Sequence, residues 1–493
     1  MEDLEKVASN RSGDGCSLED TDPATRVEVS PSKKEITGDR SPSLLNFPMT
    51  DSGNAERLAA LYGTQICYRT DGKCWHIYEP EVGVWREADE DEIKSLARRT
   101  VRQFREEINS TQYCSKDGES FALKSENSPK LNNLVREART LPELWIPAKE
   151  FDDDALLLNV QNGKVDLRDG KLREHRPEDR FTRVCGAEYR KDNGAPQWEN
   201  FLRTIFDEDE ELIDYVQRAV GYALSGLASE QCMFVLKGDG ANGKSTFLEV
   251  LREVLGSYAA NTPVQTLLPG SRKGHDADLA RLPNVRFLTV SELERDEELI
   301  ESRVKRLTGQ DRMAVREMYK GYFEYTPDFC LFMATNHWPK VSADDHAFWR
   351  RMRVIPFSVR IPPGKQNPFL KQELLNESGG ILAWAIDGFQ KWRKDPLKEQ
   401  PQAAQKEKDR WRDTIDRCVS TFLESRVDRS TGESIRTSHV HREYADYCSN
   451  RNMEPLSHRQ FNKRVQQHFS GSIYKKRKGA CGSAHWVGIE LNG

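Results

Sequence analysis

The stretch that decides the fold begins Cys232-Met233-Phe234-Val235-Leu236 and continues Gly238-Asp239-Gly240-Ala241-Asn242-Gly243-Lys244-Ser245-Thr246. The apolar run predicts a buried strand, and the residues after the loop repeat apolar side chains at helical spacing. Between them the glycines match G-x-x-x-x-G-K-[ST], in which residues without a Cβ let backbone N–H groups converge on phosphate oxygens. The positive end of the following helix favours the same anions. The stretch therefore predicts a phosphate-binding loop in an α/β domain.

Two side chains of this loop carry the expected chemistry. Lys244 should reach the β- and γ-phosphates of a nucleotide, and the Ser245 hydroxyl should ligate Mg²⁺. We therefore expect ATP and Mg²⁺ as the ligands. The residues expected to contact the nucleotide are Gly238, Asp239, Gly240, Ala241, Asn242, Gly243, Lys244, Ser245 and Thr246.

A nucleotide-hydrolysing site also needs an acidic residue at the end of a neighbouring strand. The apolar run 285–290 predicts that strand, and Ser291-Glu292-Leu293-Glu294 follows it. Glu292 is the first candidate for the Mg²⁺ ligand or catalytic base and Glu294 the second, although a solvated surface pair of acids has the same pattern. Two adjacent acids are usual here. Because Ser291 replaces the first of them, the division of metal and base roles stays open.

A third predicted strand, 329–334, ends in Thr335-Asn336. A polar side chain at the tip of a central strand can orient the attacking water beside the phosphates. An asparagine at a strand end is also a common turn former. Its place after the glycine loop and the acidic strand favours a catalytic role for Asn336.

The order and spacing of further motifs resemble one family. The chain continues with Lys305-Arg306-Leu307-Thr308-Gly309, then Ala334-Thr335-Asn336-His337, then Trp349-Arg350-Arg351-Met352-Arg353-Val354-Ile355-Pro356-Phe357. With the glycine loop and the acidic strand, these motifs resemble superfamily 3 helicases, in particular phage and plasmid primase-helicases related to the poxvirus primase-helicase. The resemblance extends from about Asn54 to the C-terminus, because Asn162–Leu167 and Gly221–Leu224 also resemble the helicase-associated N-terminal region of that family.

The resemblance implies an AAA-like core that forms a hexameric ring, binds ATP between subunits and moves 3′→5′ on single-stranded DNA. An arginine of one subunit would touch the γ-phosphate bound by its neighbour. Arg350 and Arg351 match that position, with Arg351 slightly preferred, unless they form only a surface basic cluster. The family also inserts a hairpin that grips DNA in the channel. In the matching segment, Met313–Tyr325, Arg316 and Lys320 are candidates for phosphate contact, or else they only solvate the hairpin.

The C-terminal segment predicts a second DNA-binding element. Thr437–Tyr447 has the spacing of an amphipathic helix, and Ser457-His458-Arg459-Gln460 is a capping box that opens another helix. Two strands, 472–474 and 484–491, follow and are joined by a basic turn. This order is typical of a winged helix-turn-helix, and the family has a similar domain at this end. Basic residues outnumber acidic ones here, which suits binding to duplex or forked DNA. Docking to another protein is the alternative. The candidate DNA contacts are Arg459, Asn462, Lys463, Lys475, Lys476, Arg477 and Lys478.

Composition limits the classes of function. The net charge of −5 excludes a general polycation, and no apolar run reaches the roughly 18 residues that a membrane-spanning helix needs. No signal peptide is recognisable, so we expect a cytoplasmic protein with no membrane partner. The 10 cysteines form no C-x-x-C pair, which favours buried free thiols.

The expected organisation has five parts: a disordered tail at 1–48, a helicase-associated mixed α/β region at 49–227, the ATPase core at 228–370, a helical lid and linker at 371–412, and a winged helix at 413–493. Order should begin near Asn54, and Asn162-Gly163 predicts a tight turn between two strands. Because the resemblance to the helicase-associated region begins so early in the chain, we expect no primer-making domain in front of it. A separate primase or polymerase is therefore an expected partner.

Two functions agree best with these motifs. The first is an ATP-dependent DNA helicase of a phage or mobile-element replication system. The second is an ATP-driven, DNA-binding switch or loader that remodels a replication partner without unwinding DNA. A third, a primase-helicase acting alone, would need the primer-making domain. The combination of motor, hairpin and C-terminal domain favours the helicase.

Overall fold

The computed structural model describes residues 43–110, 116–268, 275–290, 297–316, 322–341, 345–450, 455–469, 473–478 and 483–492, with only the backbone described at 275–277, 413–418, 431–433, 474–478 and 483. These residues form two compact units. One contains the chain up to Asn193 with Glu253–Tyr258 and Ser378–Ile386. The other contains Gly194–Arg252, Ala259–Glu377 and Asp387–Gly493. The domain boundaries expected from the sequence stay predictions.

The first unit combines helices with two small antiparallel sheets. Its helices are α1 (Asp51–Tyr62), α2 (Glu90–Ser110), α3 (Lys116–Ser125) and α4 (Ser128–Ala138). One sheet consists of β1 (Ile66–Arg69), β2 (Cys74–Glu79) and β3 (Val84–Ala88), and the other of β4 (Leu157–Val160), β5 (Gly163–Asp166) and β6 (Lys171–Arg173). Buried side chains of α1, α2 and α4, among them Leu58, Val101 and Leu134, form a core with the first sheet. The mixed α/β character expected here is confirmed.

The tight turn between β4 and β5 lies one residue earlier than the sequence predicts. Val160 pairs with Gly163, so the turn consists of the two residues between them. Asn162 is fixed in this turn because its Nδ2 donates to Tyr189 O at 3.1 Å. Gly163 is needed inside the strand, since its φ is 147° and a Cβ would lie 2.3 Å from Arg173 O. The expected Asn162-Gly163 turn is therefore wrong in register.

Order begins before Asn54, earlier than expected. The guanidinium of Arg57, which is fully buried, donates to the backbone carbonyls of Leu44, Phe47 and Pro48. A buried guanidinium needs several acceptors, and these carbonyls tie the segment before α1 to the first unit. Composition had assigned that segment to the disordered tail. Residues 1–42 lie outside the described residues.

The second unit is built around a parallel sheet. The elements from Pro196 to Arg426 belong to this unit, except the end of α7 and the first half of α12, which belong to the first unit. In chain order they are α5 (Pro196–Ile205), α6 (Glu210–Leu224), β7 (Met233–Lys237), α7 (Lys244–Leu255), β8 (Ala259–Thr262), α8 (His275–Ala280), β9 (Phe287–Val290), α9 (Glu301–Thr308), β10 (Met313–Arg316), β11 (Tyr322–Tyr325), β12 (Cys330–Thr335), α10 (His346–Trp349), β13 (Met352–Pro356), α11 (Leu370–Leu375), α12 (Ser378–Lys394) and α13 (Gln402–Arg426). The strands β10 and β11 form a separate hairpin, as the sequence predicts.

The sheet has five parallel strands in the order β13-β7-β12-β9-β8. Most of their residues are buried, and β9 and β12 are buried throughout; strands covered on both faces have continuous apolar runs rather than alternation. At the edge formed by β13, Gln400 Oε1 accepts the N–H of Val354 at 3.2 Å, and α13 packs alongside. The expected α/β fold is confirmed. The strands β7 and β12 end side by side at the carboxyl edge of the sheet.

The C-terminal part of the second unit contains β14 (Val427–Arg436), α14 (Thr437–Ser449), α15 (His458–His468), β15 (Tyr474–Lys478) and β16 (Ser483–Leu491). The capping box is confirmed, since Ser457 and Gln460 each accept the other's backbone N–H. The basic turn is wrong: residues 475–478 form part of β15, where each pairs with a residue of β16. The strand β14, which the sequence did not predict, completes an antiparallel sheet of order β14-β16-β15.

The charge of the segment 398–412 predicts either a linker or an exposed helix, and helix α13 occupies most of it. It runs without interruption from Gln402 to Arg426 and passes through the predicted boundary at 412. Burial of Trp411 explains this helix, because its indole lies in the core of the second unit. Among the described residues, no helix is long and apolar enough to cross a membrane. The described cysteines are free thiols, and all but Cys74 are buried.

Candidate functional site

The glycine loop between β7 and α7 has a backbone that requires glycine at defined positions. Gly240 and Gly243 have φ angles of 95° and 84°, and Ala241 lies between them at 50°. A Cβ at Gly243 would come within 2.7 Å of Ile205 Cγ2, whereas a Cβ at Gly240 would project into open space. The loop is therefore closed against the protein on one side and accessible at Gly240. An incoming phosphate needs that unobstructed approach.

Lys244, the first residue of α7, is held inside the loop with only 2% of its surface exposed. Its ammonium donates to three oxygens: Gly238 O at 2.6 Å, Asn242 Oδ1 at 3.1 Å and Asn336 Oδ1 at 2.9 Å. Three acceptors match the three donors of an ammonium and fix its direction. The contact with Asn336 joins side chains 92 residues apart, because β7 and β12 are neighbours.

The chain after β13 braces the loop from its other side. Phe357 donates its N–H to Lys237 O at 2.7 Å, and its carbonyl accepts from Asn242 Nδ2 at 3.3 Å. Ile361 donates its N–H to Ala241 O at 2.7 Å. These contacts hold the loop in place, and Asn242 uses its Nδ2 for them while its Oδ1 accepts from Lys244.

The donor set of this loop fits a phosphate accompanied by Mg²⁺. Ser245 is exposed at the N-terminal end of α7, where an oxygen ligand for the cation is needed. Asp239 pairs with Lys237 at 2.7 Å, and the hydrogen bond and charge of Lys237 lower the pKa of Asp239. Glu292 and Glu294 lie outside the described residues.

Arg350 and Arg351 follow α10 and differ in exposure. Arg351 is 9% exposed, and its Nη1 donates to Ala347 O at 2.7 Å. Burial, together with the positive charge of Arg350, lowers the pKa of Arg351. Arg350 is exposed and reaches Gln231 Oε1 only at 3.5 Å. Of the two, Arg350 is the one exposed to solvent. This exposure favours Arg350 over Arg351, which the sequence slightly preferred, as the arginine that acts on a neighbouring subunit.

Lys305 fixes the start of α10. The spacing of the sequence motif alone does not reveal this role. Its ammonium contacts an oxygen of Asp345 at 2.5 Å, and the other carboxylate oxygen accepts the N–H of Phe348 at 3.0 Å. Burial raises the pKa of Asp345, but these contacts outweigh it and the net direction is downward. Asp345 is therefore a charged N-cap that sets where the following arginines emerge.

The hairpin formed by β10 and β11 has one buried and one exposed face. Arg316 pairs with Tyr322 on the exposed face, and the guanidinium lies 5.5 Å from the ring centroid. Tyr322 is 72% exposed. The sequence predicts only that Tyr322 lies in a strand. Its exposure could have been predicted from the alternation of buried and exposed residues along the hairpin, in which Val315 is buried. Lys320 lies outside the described residues.

Helix α15 places Arg459 and Lys463 on an exposed face. Asn462 does not join them, since it is 5% exposed and its Oδ1 accepts from Trp486 Nε1 at 3.1 Å. The expected outward orientation of Asn462 is wrong, because a buried indole N–H requires an acceptor. Only the backbone is described for Lys475, Lys476, Arg477 and Lys478.

A cavity of about 330 Å³ adjoins the glycine loop on the side of β13. Its walls come from the first half of the loop, from the chain at 356–360, and from Glu407 and Arg410 of α13. Sequence analysis missed these two residues, since they lie far along the chain from the loop and in a charged segment. No spacing pattern connects them to the glycines.

Three family models match successive parts of the chain. The model described as "D5 N terminal like" matches residues 55–207, a family of unknown function (DUF5906) matches 236–351, and the RFX DNA-binding domain matches 416–493. The apo structure of the NrS-1 C-terminal region has a TM-score of 0.50 at 9% identity, covering 89% of this chain and 99% of that one. At that identity the match shows a shared fold.

Several viral proteins are similar to parts of this chain. A protein of Acanthamoeba polyphaga mimivirus, provisionally named helicase L207/L206, is 28% identical over 46% of this chain and 24% of its own length. Provisional helicase 184R of Invertebrate iridescent virus 6 is 24% identical over 63% of this chain and 34% of its own length. Provisional primase C962R of African swine fever virus is 24% identical over 49% and 26%. Together with the N-terminal family match, these relatives support a phage or viral primase-helicase family protein.

The chain spans about a third or less of the length of the curated relatives it matches. Its structure brings together the glycine loop, Lys244 and Asn336. Four other candidate residues are exposed and come from three separate segments of the chain: Arg316, Arg350, and Arg459 with Lys463. The roles assigned to these residues stay predictions.

Proposed function

We propose that this chain is an ATP-dependent DNA helicase of a phage or mobile-element replication system. It has a P-loop NTPase core of the AAA type, works as a ring-shaped hexamer and carries a winged helix at its C-terminal end. The observation that supports this most is the contact between Lys244 and Asn336 at 2.9 Å. It joins the residue that would bind the γ-phosphate to the residue that would orient the attacking water.

Within the ATP site, the loop N–H groups and Lys244 bind the phosphates, and the N-terminal end of α7 favours their charge. Ser245 and Glu292 would hold Mg²⁺, which would neutralise phosphate charge when bound. Asn336 orients the attacking water, with Glu292 or Glu294 as the base. The sheet order supports these assignments, because β12 lies between β7 and the strand β9 that precedes Glu292.

On the DNA side, the exposed face of the β10–β11 hairpin contacts a single strand through Arg316, and Lys320, which lies between the two strands in the sequence, is the second proposed contact. The C-terminal part contacts duplex or forked DNA. Its two helices and three-stranded sheet support a winged-helix assignment, as does the match to a DNA-binding domain model. Arg459 and Lys463 on α15 are the proposed contacts, together with the basic strand 475–478. Phosphate contacts of this kind make the affinity fall as salt rises.

The test is ATP-dependent strand displacement on a forked DNA, with native protein compared with Lys244→Ala. The substitution should abolish unwinding and lower hydrolysis by at least about a hundredfold, since one preorganised charge contact to the reacting group is lost. Lys406→Ala, the same change at an exposed lysine of α13, is the matched control and should unwind normally. If native protein hydrolyses ATP on bound DNA but releases no strand, the helicase is excluded and the ATP-driven switch or loader takes its place.

A further inference from the structure

We propose that the cavity beside the glycine loop holds the base and ribose of the bound nucleotide, and that Glu407 of α13 contacts this nucleoside. The inference rests on the proposed function, because it requires the loop to bind the phosphates. It goes further by assigning a part of the site to a helix that no motif indicated. It also makes a segment outside the parallel sheet part of nucleotide recognition.

The position of the cavity follows from the strand order. β12 and β13 lie on opposite sides of β7, and Lys244 contacts Asn336 on the β12 side. The γ-phosphate therefore lies toward β12. A nucleotide anchored there must extend its nucleoside away from that side, and the cavity occupies the β13 side beside Lys237–Gly240. Its volume of about 330 Å³ is at the small end of ligand pockets, as a nucleoside requires.

The walls of the cavity have the mixed character of a ligand site. Pro356 and Val359 supply apolar surface, and the loop supplies backbone groups. Glu407 has only 20% of its side chain exposed and accepts from Arg410 Nη1 at 2.9 Å. The paired carboxylate keeps acceptor capacity for ribose hydroxyls or a base amino group. Arg410, 63% exposed at the rim, is a positioning residue that orients it.

Helix α13 is held firmly enough to present these side chains. Trp411, next to Arg410, is fully buried and stacks on Trp338 with ring centroids 4.8 Å apart and an interplanar angle of 8°. Its Nε1 donates to Pro339 O at 3.2 Å. The helix start is tied to β13 through Gln400. Because the helix is anchored beside the cavity, Glu407 needs no rearrangement to reach a ligand there.

The experiment compares two ligands by calorimetry: ATP, and inorganic tripolyphosphate, which lacks the nucleoside. Glu407→Gln should weaken ATP binding about tenfold, the effect of losing hydrogen bonds to a charged group, and leave tripolyphosphate unchanged. Arg410→Ala should do the same to a smaller extent. Lys406→Ala, a change of charge on an exposed side of the same helix, should affect neither ligand. Melting temperatures establish that each variant is folded.

Two results would overturn the assignment: equal weakening of ATP and tripolyphosphate by Glu407→Gln, or no weakening of either. Lys244→Ala separates this outcome from failure of the proposed function. If Lys244→Ala weakens both ligands while Glu407→Gln weakens neither, the ATP site stands and the nucleoside subsite is rejected. If native protein binds neither ligand, both proposals are rejected together.

Discussion

Arg350 and Arg351 are adjacent in the sequence but have different surroundings. Arg351 folds back on its own helix and donates to Ala347 O, whereas Arg350 is exposed. A side chain that acts on a neighbouring subunit must leave its own protein surface. Moving Arg351 would break that hydrogen bond, and a broken buried hydrogen bond costs about 1–3 kcal/mol. At the residue scale, Arg350 is therefore the better candidate to act in trans.

Mixing experiments test this choice. Arg350→Ala and Lys244→Ala should each lose ATP hydrolysis when alone. Mixed together, they should partly recover it, because some interfaces in a mixed ring combine an intact Lys244 with an intact Arg350. The measurement is the steady-state hydrolysis rate across mixing ratios. Arg351→Ala is the control and should retain more activity than Arg350→Ala; recovery with Arg351→Ala instead would return the role to Arg351.

The positions of individual site residues are predictable where a sequence motif also specifies the local backbone conformation. The glycine spacing predicted the loop, and the order of apolar runs placed Asn336 beside it. Asn462 was misplaced because only the structure reveals the buried Trp486 N–H that it satisfies. Glu407 is not predictable from the sequence, because it lines the cavity beside the loop only through the packing of a helix that is distant along the chain. Residues defined by long-range partners leave no local pattern.

At the scale of elements, the β10–β11 hairpin combines charge with an exposed aromatic ring. Arg316 lies over Tyr322, and the pair occupies the face opposite the buried Met313 and Val315. Successive bases of single-stranded nucleic acid stack on such rings in a sequence-tolerant way, and arginine adds a cation–π contribution. The hairpin is thus suited to contact bases as well as phosphates.

Tyr322→Ala should lower affinity for single-stranded DNA about tenfold, since stacking contributes roughly 1–3 kcal/mol per base. Tyr322→Phe keeps the ring and should bind almost as native protein does. The matched control is Phe369→Ala, which removes another ring that is 70% exposed. Fluorescence anisotropy with a labelled oligonucleotide measures the affinities. Equal affinity of Tyr322→Ala and native protein would exclude base stacking on the hairpin.

Elements with a strong local signal were predicted, and those decided by pairing were not. The apolar runs of β7 and β12 and the capping box of α15 appear where the sequence places them. The basic run 475–478 looked like a turn, but pairing with β16 makes it a strand. The charged start of α13 fits a linker as well as an exposed helix by its sequence, because the buried Trp411 is isolated among polar residues.

On the scale of the molecule, α13 connects two parts of the second unit that have different proposed ligands. Its first half borders the cavity through Glu407 and Arg410. Its last turns enter the core of the C-terminal part, where Phe422 packs on Tyr444 and Phe461. Rigid secondary-structure elements are among the structures that carry coupling between distant sites. We therefore predict that a change at the nucleotide end of α13 affects the proposed DNA-binding end.

This arrangement predicts that nucleotide and duplex DNA affect each other's binding. A non-hydrolysable ATP analogue should change the affinity for blunt duplex DNA by about fivefold or more, the usual range of coupling between sites. DNA should change the affinity for the analogue by the same factor, since coupling between two binding equilibria is reciprocal. Fluorescence anisotropy of labelled duplex gives the first factor, and calorimetry with saturating duplex gives the second.

Glu407→Gln should reduce this coupling while leaving duplex affinity without nucleotide unchanged. Arg459→Ala should do the opposite, lowering duplex affinity at every nucleotide concentration because it removes a phosphate contact. This contrast separates a residue that transmits the nucleotide state from one that binds DNA. If duplex affinity is the same with and without the analogue in native protein, α13 only connects the two parts, and nucleotide control of DNA binding must come from the arrangement of subunits around the ring.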